Sequence, residues 1–265
     1  ASSKRFDGGM KGRAPGLQAS PFLFFTGGTT MKNYVFPIAL CMLISVLSSP
    51  VFAFGNGNGT AGSPHDFALQ PWNGRAEICR VCHVPHDHSQ VAQRYLNGLL
   101  WNHALSTATY TMYDNAWSST LTGAQSAQPD GHSKLCLGCH DGTVGIDTFD
   151  KYAGGGIFID DFNPLFKIPG FTNGTALDLR GTHPISIQFP AGETGDGKNF
   201  TDPSVATWNS GDTVSSTLDH GKVQCSTCHD VHDQESIAGT RLLRTAQTVS
   251  AGGVASGMCL TCHVK

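Results

Sequence analysis

Cysteine and histidine occur in this chain at a spacing that few kinds of chemistry require. Eight of the nine cysteines fall in four Cys-x-x-Cys pairs, and a histidine follows each pair at once. The four runs are Cys79-Arg80-Val81-Cys82-His83, Cys136-Leu137-Gly138-Cys139-His140, Cys225-Ser226-Thr227-Cys228-His229 and Cys259-Leu260-Thr261-Cys262-His263. Two thiols separated by two residues can reach the two vinyl groups of one porphyrin from a single turn of chain. The next residue then places an imidazole beneath the iron. Zinc ribbons and disulfides also use paired cysteines, but neither needs a histidine after every second one. The sequence therefore predicts four haem c groups. Their covalent anchors are Cys79, Cys82, Cys136, Cys139, Cys225, Cys228, Cys259 and Cys262, and their proximal ligands are His83, His140, His229 and His263.

Each iron has a second axial position. Eight further histidines remain: His65, His86, His88, His103, His132, His183, His220 and His232. After residue 53 the only methionines are Met112 and Met258, and Met258 adjoins Cys259, where it is badly placed for a haem. Bis-histidine ligation at all four irons follows, and without a methionine ligand the potentials should be low. Five histidines qualify for the four places: His65, His86, His103, His183 and His232. His86 and His232 each stand three residues after a proximal histidine, an offset suited to a neighbouring site. His88, His132 and His220 lie in polar stretches and read as solvated. His65 sits in a Gly-rich arm, which suggests service across a subunit interface.

The elements that carry these groups must be short. Charged residues are only 14% of the 265-residue chain, and glycine is abundant at 32, which argues against long surface helices. Short helices are expected just before each cysteine pair, a longer helix at 89–105, short strands at 155–160 and 185–189, and loop over 191–222. Residues 31–53 combine a basic start at Lys32, an apolar core containing Cys41, and Val51-Phe52-Ala53 as a small-x-small cleavage site. They read as a signal peptide, with 1–30 an upstream extension and 54–265 the mature tetrahaem domain. Within that domain, haems 1–2 fall in 54–150, a connecting segment in 151–222 and haems 3–4 in 223–265. From residue 54 onward there are 12 Lys+Arg and 19 Asp+Glu, so 12 − 19 = −7. An acidic surface argues against nucleic acid as a partner, and no later apolar run suggests a membrane span.

The mature 212 residues allow 53 per haem, too few for an ordinary apolar core. The expected fold is thus a multihaem cytochrome c: mostly irregular chain, short helices and a few short strands, wrapped around a stack of four haems. Trp72, Trp101, Trp117 and Trp208 are expected to pack on porphyrin. Asp160-Asp161 with Asn163 reads as solvated surface rather than a calcium site.

The ordered segments SPHDF, CRVCHVPH, LWNH, SKLCLGCHDGT, THPISI, CSTCHDVH and MCLTCH resemble those of the doubled-CxxCH multihaem cytochromes. They are most similar to the tetrahaem extracellular cytochromes of the OmcE type, the subunits of cytochrome nanowires. The resemblance spans nearly all of the mature chain. It implies bis-histidine haems in one continuous stack and a head-to-tail homopolymer, with one iron ligated by a neighbouring subunit's histidine. It further implies extracellular electron transfer, with other redox proteins or extracellular acceptors as partners. A soluble periplasmic electron shuttle is the alternative. A scaffold within an outer-membrane complex and a multihaem reductase are further readings; a reductase needs an open iron face that surplus histidines do not suggest. The protein is expected to be exported, to the cell surface or beyond, alternatively to the periplasm, and to act as a carrier, not an enzyme.

Overall fold

The computed structural model describes residues 55–84, 100–150, 156–170 and 172–265. The chain divides into two compact units, Ala1–Pro50 and Val51–Lys265, and the described residues all lie in the second. The expected extension and signal peptide, and His86 and His88, lie outside them. The described chain is mostly irregular, with short helices and a few very short strands.

Two small sheets fasten distant segments together. Strand β1 (Tyr110–Thr111) pairs in parallel with β3 (Ala176–Asp178), and β2 (Thr172–Asn173) pairs antiparallel on the other side of β3 across a two-residue turn. Strand β4 (Ile187–Gln188) pairs antiparallel with β5 (Lys222–Val223). The expected strand at 185–189 is therefore present only at its centre. The expected strand at 155–160 is not formed over its described part, 156–160: Ile159–Phe162 is a helical turn, α2. Its adjacent carboxylates explain the change, because Asp161 accepts the Phe158 N–H at 2.7 Å and acidic side chains favour a first helical turn. Asp160 pairs with Lys167 at 2.7 Å.

The helices run through the cysteine pairs instead of stopping before them. A 3₁₀ turn covers Cys79–Val81, α1 covers Gly131–His140, α4 covers Cys225–Cys228 and α5 covers Gly257–Cys262. Helix α1 ends at Gly142, whose φ of 79° is the left-handed cap conformation. The Asp141 and Gly142 amides return to Leu137 and Cys139, and Val144 N–H returns to Gly138. Between β4 and β5, the stretch expected as loop is irregular apart from a 3₁₀ turn at Ala191–Glu193 and the helical turn α3 (Val214–Thr217).

The expected helix at 89–105 fails over its described part. Leu100 has a φ of 52°, and Trp101 and His103 form isolated bridges with His83 and Phe149. Asn102 is responsible: its side-chain amide donates to Arg80 O and to Asp150, and its Oδ1 accepts the Asp150 N–H. An amide side chain bonded to backbone in this way competes with helix.

Apolar burial is thin. One cluster holds Phe189, Ala206, Trp208 and Val214, with Met258 packed against it; another holds Tyr110, Leu137 and Leu179. Among the described residues, sixteen hydrophobic residues are buried against 19 polar or charged ones, so hydrogen bonds carry an unusual share of the interior. Trp208 is the largest apolar side chain in its cluster, and its indole N–H donates to Thr217 at 3.0 Å. Trp208→Ala should cost about 3–5 kcal/mol, measured by chemical denaturation followed by far-UV circular dichroism.

Candidate functional site

All four Cys-x-x-Cys-His runs lie among the described residues, and the structure links them in sequence order. The Cys139 thiol lies near Cys82, Cys136 lies against Cys225, and Cys228 lies near Cys262. Helices α1 and α4 pack together and bring the second and third runs side by side, with Cys225 N–H donating to Ser133 Oγ at 3.0 Å. None of the eight thiols is disulfide-bonded. Burial pushes Cys82 and Cys262 up to about 11, and Cys139 and Cys228 up to about 12. A nucleophilic cysteine needs the opposite shift, since only the thiolate attacks; Cys225 is lowered, chiefly by the hydrogen bond from the Cys136 thiol, which is itself pushed up. No three His, Cys, Asp or Glu side chains converge among the described residues, as a zinc ribbon would require.

Three of the four histidines that end these runs face a second histidine from elsewhere in the chain. His140 and His65 have ring centres 6.1 Å apart, His83 and His232 6.2 Å, and His263 and His183 6.4 Å. A metal–imidazole bond of about 2 Å, plus about 1.1 Å from nitrogen to ring centre, puts two imidazoles on opposite sides of one metal about 6.3 Å apart. All three pairs fall at that spacing. Direct packing of two rings does not demand it, since aromatic centroids range over about 4.5–7 Å.

Tautomers fit the same use. His140 Nδ1 donates to Phe166 O at 2.9 Å, His229 Nδ1 to Arg241 O at 2.8 Å and His183 Nδ1 to Pro184 O at 2.9 Å. A carbonyl can only accept, so each Nδ1 carries the proton and each Nε2 keeps a bare lone pair. Metal-ligating histidines are commonly oriented by such a bond. Burial holds the His65 imidazole at about 4 and also lowers His263, so both are neutral near pH 7. The Nδ1 of His65 and the indole nitrogens of Trp72 and Trp101 are buried without a hydrogen-bond partner. Those orphaned donors are consistent with a group that brings acceptors of its own.

No protein family, curated protein or solved structure matches this chain. The site therefore rests on its own residues.

Of the five expected sixth ligands, His65, His183 and His232 lie beside His140, His263 and His83, the histidines expected to be proximal. His65 lies against His140 of its own chain. His103 is buried and packs on Trp101 and Phe149, and burial holds it at about 4. His86 lies outside the described residues. Among the described residues no histidine ring is paired with His229. His220 is exposed and bonded to Asp219, while His132 bonds Ser226. The tryptophans divide. Trp101 lies 6.2 Å from His83, Trp72 packs on Phe67 and Phe149, Trp117 lies exposed beneath Arg180, and Trp208 belongs to the apolar core.

Sequence reasoning missed the aspartates behind the histidines. Asp141 follows His140 and is almost fully buried; it accepts from Thr143 N–H at 2.7 Å, Thr143 Oγ1 at 2.6 Å, Ser106 Oγ at 2.5 Å and the Tyr110 hydroxyl. Asp230 follows His229 and accepts the amides of His232, Gln234 and Glu235. The repeated Cys-His-Asp of the second and third runs was the available signal. Asp141→Ala leaves four donors without their acceptor and should cost about 3 kcal/mol or more. Tyr110→Phe removes one donor and should cost less; urea midpoints of the two variants check the ranking.

Proposed function

We propose that this protein is a tetrahaem c-type cytochrome that transfers electrons. Three imidazole pairs support the reading most directly: each joins a Cys-x-x-Cys-His run to a remote histidine at the spacing of two ligands on one metal. The eight cysteines would hold four haems as thioethers. His83 with His232, His140 with His65, and His263 with His183 would close both faces of three irons. His229 would take its second ligand from His86 or from a neighbouring copy of the chain. When bound, haem supplies an iron that alternates between ferrous and ferric states.

The polypeptide's part is to hold, orient and shield. Thioether anchors fix each group to one short turn. The Nδ1 bonds to Phe166, Arg241 and Pro184 fix ring planes and aim each Nε2. Two imidazoles leave no position for water or substrate, which suits a carrier and not a reductase. The thiols run in sequence order through Cys82–Cys139, Cys136–Cys225 and Cys228–Cys262, so successive sites are neighbours, the arrangement that electron transfer along a chain needs. The thin apolar core also fits, because four porphyrins would supply the missing apolar volume.

We further propose head-to-tail assembly into a filament outside the cell, on the resemblance to nanowire subunits. Exposed Leu69, Leu165, Val205 and Val249 offer apolar surface for contact between copies. No helix among the described residues is long and apolar enough to cross a membrane.

Expression in a host with haem-attachment machinery should yield four haems per chain by pyridine haemochrome, with every ferric signal low-spin in electron paramagnetic resonance. Two or fewer haems per chain would defeat the assignment. Micrographs of secreted material should show filaments, and discrete particles alone would favour the soluble shuttle.

A further inference from the structure

The side chain of Asp233 is wholly buried, yet it belongs to none of the four runs. Its carboxylate accepts the Asn56 N–H at 2.6 Å and the Gly57 N–H at 3.1 Å, and it also accepts the Ser236 hydroxyl. Two consecutive amides of the amino-terminal arm thus converge on one carboxylate about 177 residues away. The backbone around it repeats the connection. Gly59 N–H donates to Asp233 O at 2.7 Å, Gly55 N–H to Thr240 O at 2.9 Å, and Gly239 N–H to Gly55 O at 2.9 Å. The Thr60 hydroxyl reaches His232 O at 3.3 Å. Asp233 holds a φ of 56°, a left-handed conformation that aspartate enters with the help of hydrogen bonds such as these.

Both ends of this clamp lead to a histidine that faces another. His232 precedes Asp233 in the chain and lies opposite His83. On the arm side, Asn56 Nδ2 donates to Ala61 O at 2.9 Å, Gly62 N–H to Asp66 Oδ2 at 2.7 Å, and His65 N–H to Ser63 Oγ at 3.1 Å. That run of short turns fixes His65 opposite His140.

We infer that Asp233 is a positioning residue that sets the second ligands of two sites together, His232 for the first and His65 for the second. The inference rests on the haem reading above. Its physical content is that one buried carboxylate ties the arm to the loop, so neither imidazole can be displaced without loosening the other. Outer-shell partners of metal ligands commonly change metal affinity about 10- to 100-fold when removed.

The test uses the full-length haem-loaded protein. Asp233→Ala should still carry four haems by pyridine haemochrome, because attachment depends on cysteine. It should gain a high-spin ferric signal absent from the native protein, and the reduced variant should bind carbon monoxide at one or two sites per chain. Gly55→Val attacks the same clamp from the opposite side, since a Cβ there would lie 2.4 Å from Asp233 Oδ1 and 2.9 Å from Leu242 Cδ2. It should reproduce the signal, and the double variant should be no worse than Asp233→Ala. Asp202→Ala, which removes a cap on the exposed Asp202–Ser204 turn, should leave all four haems low-spin. The inference is overturned if Asp233→Ala stays wholly low-spin, if Gly55→Val is native, or if Asp202→Ala gains the same signal. Should Asp233→Ala fail to accumulate, Gly55→Val alone decides. A native protein with two or fewer haems would instead defeat the haem reading.

Discussion

A chain with so little regular structure has to find partners for its backbone amides elsewhere, and buried aspartate carboxylates supply them. Asp141, Asp230 and Asp233 together accept six backbone amides. Asp147 accepts Ile157, Asp178 accepts Arg180 and Asp219 accepts His132. A buried carboxylate is tolerable only when its oxygens are filled, so each one dictates a local turn geometry with little latitude. In most domains a helix or sheet ladder does this. Here the turns do it, and the histidine-bearing loops inherit their shape.

That dependence explains why the sites lie where they do. Asp141 and Asp230 directly follow His140 and His229, so the same carboxylate that shapes the turn fixes where the imidazole emerges. Arg80, inside the first run, pairs with Asp150, and Asn102 bonds both Asp150 and the Arg80 carbonyl, tying that run to the segment carrying His103. Arg244 reaches Glu235 and the Ser226 carbonyl, bracing the third run. Positional precision at the imidazoles thus comes from outer polar contacts, as metal-binding proteins generally require.

The four Cys-x-x-Cys-His runs were legible because their short, repeated spacing is recorded directly in the sequence. That His65, His183 and His232 lie beside three of them was legible only as a surplus of histidines, since the separations along the chain are long. Short elements and a mostly irregular trace were legible from low charge and high glycine. The helix at 89–105 was misread over 100–105 because residues such as Leu100 and Trp101 look helical alone, while Asn102 finds long-range partners that no local window contains. The strand at 155–160 was misread because β-branching was weighed above the Asp160-Asp161 pair that starts a helical turn. The glycines around His65 prompted the expectation that it serves another subunit. One glycine of that arm, Gly55, allows a close packing on Asp233 that a larger residue would block.

The paired histidines are far apart along the chain: His83 and His232 differ by 149 positions, His65 and His140 by 75, and His183 and His263 by 80. A polypeptide made from its amino terminus presents them in a fixed order. On the proposed reading the His65–His140 site has both ligands first, although its cysteines come second. The first cysteine run waits until residue 232 has emerged, and the fourth site closes only once residue 263 has emerged. Maturation would therefore start at the second site and reach the first and fourth later, and a chain cut between residues 232 and 263 would leave His183 without its counterpart.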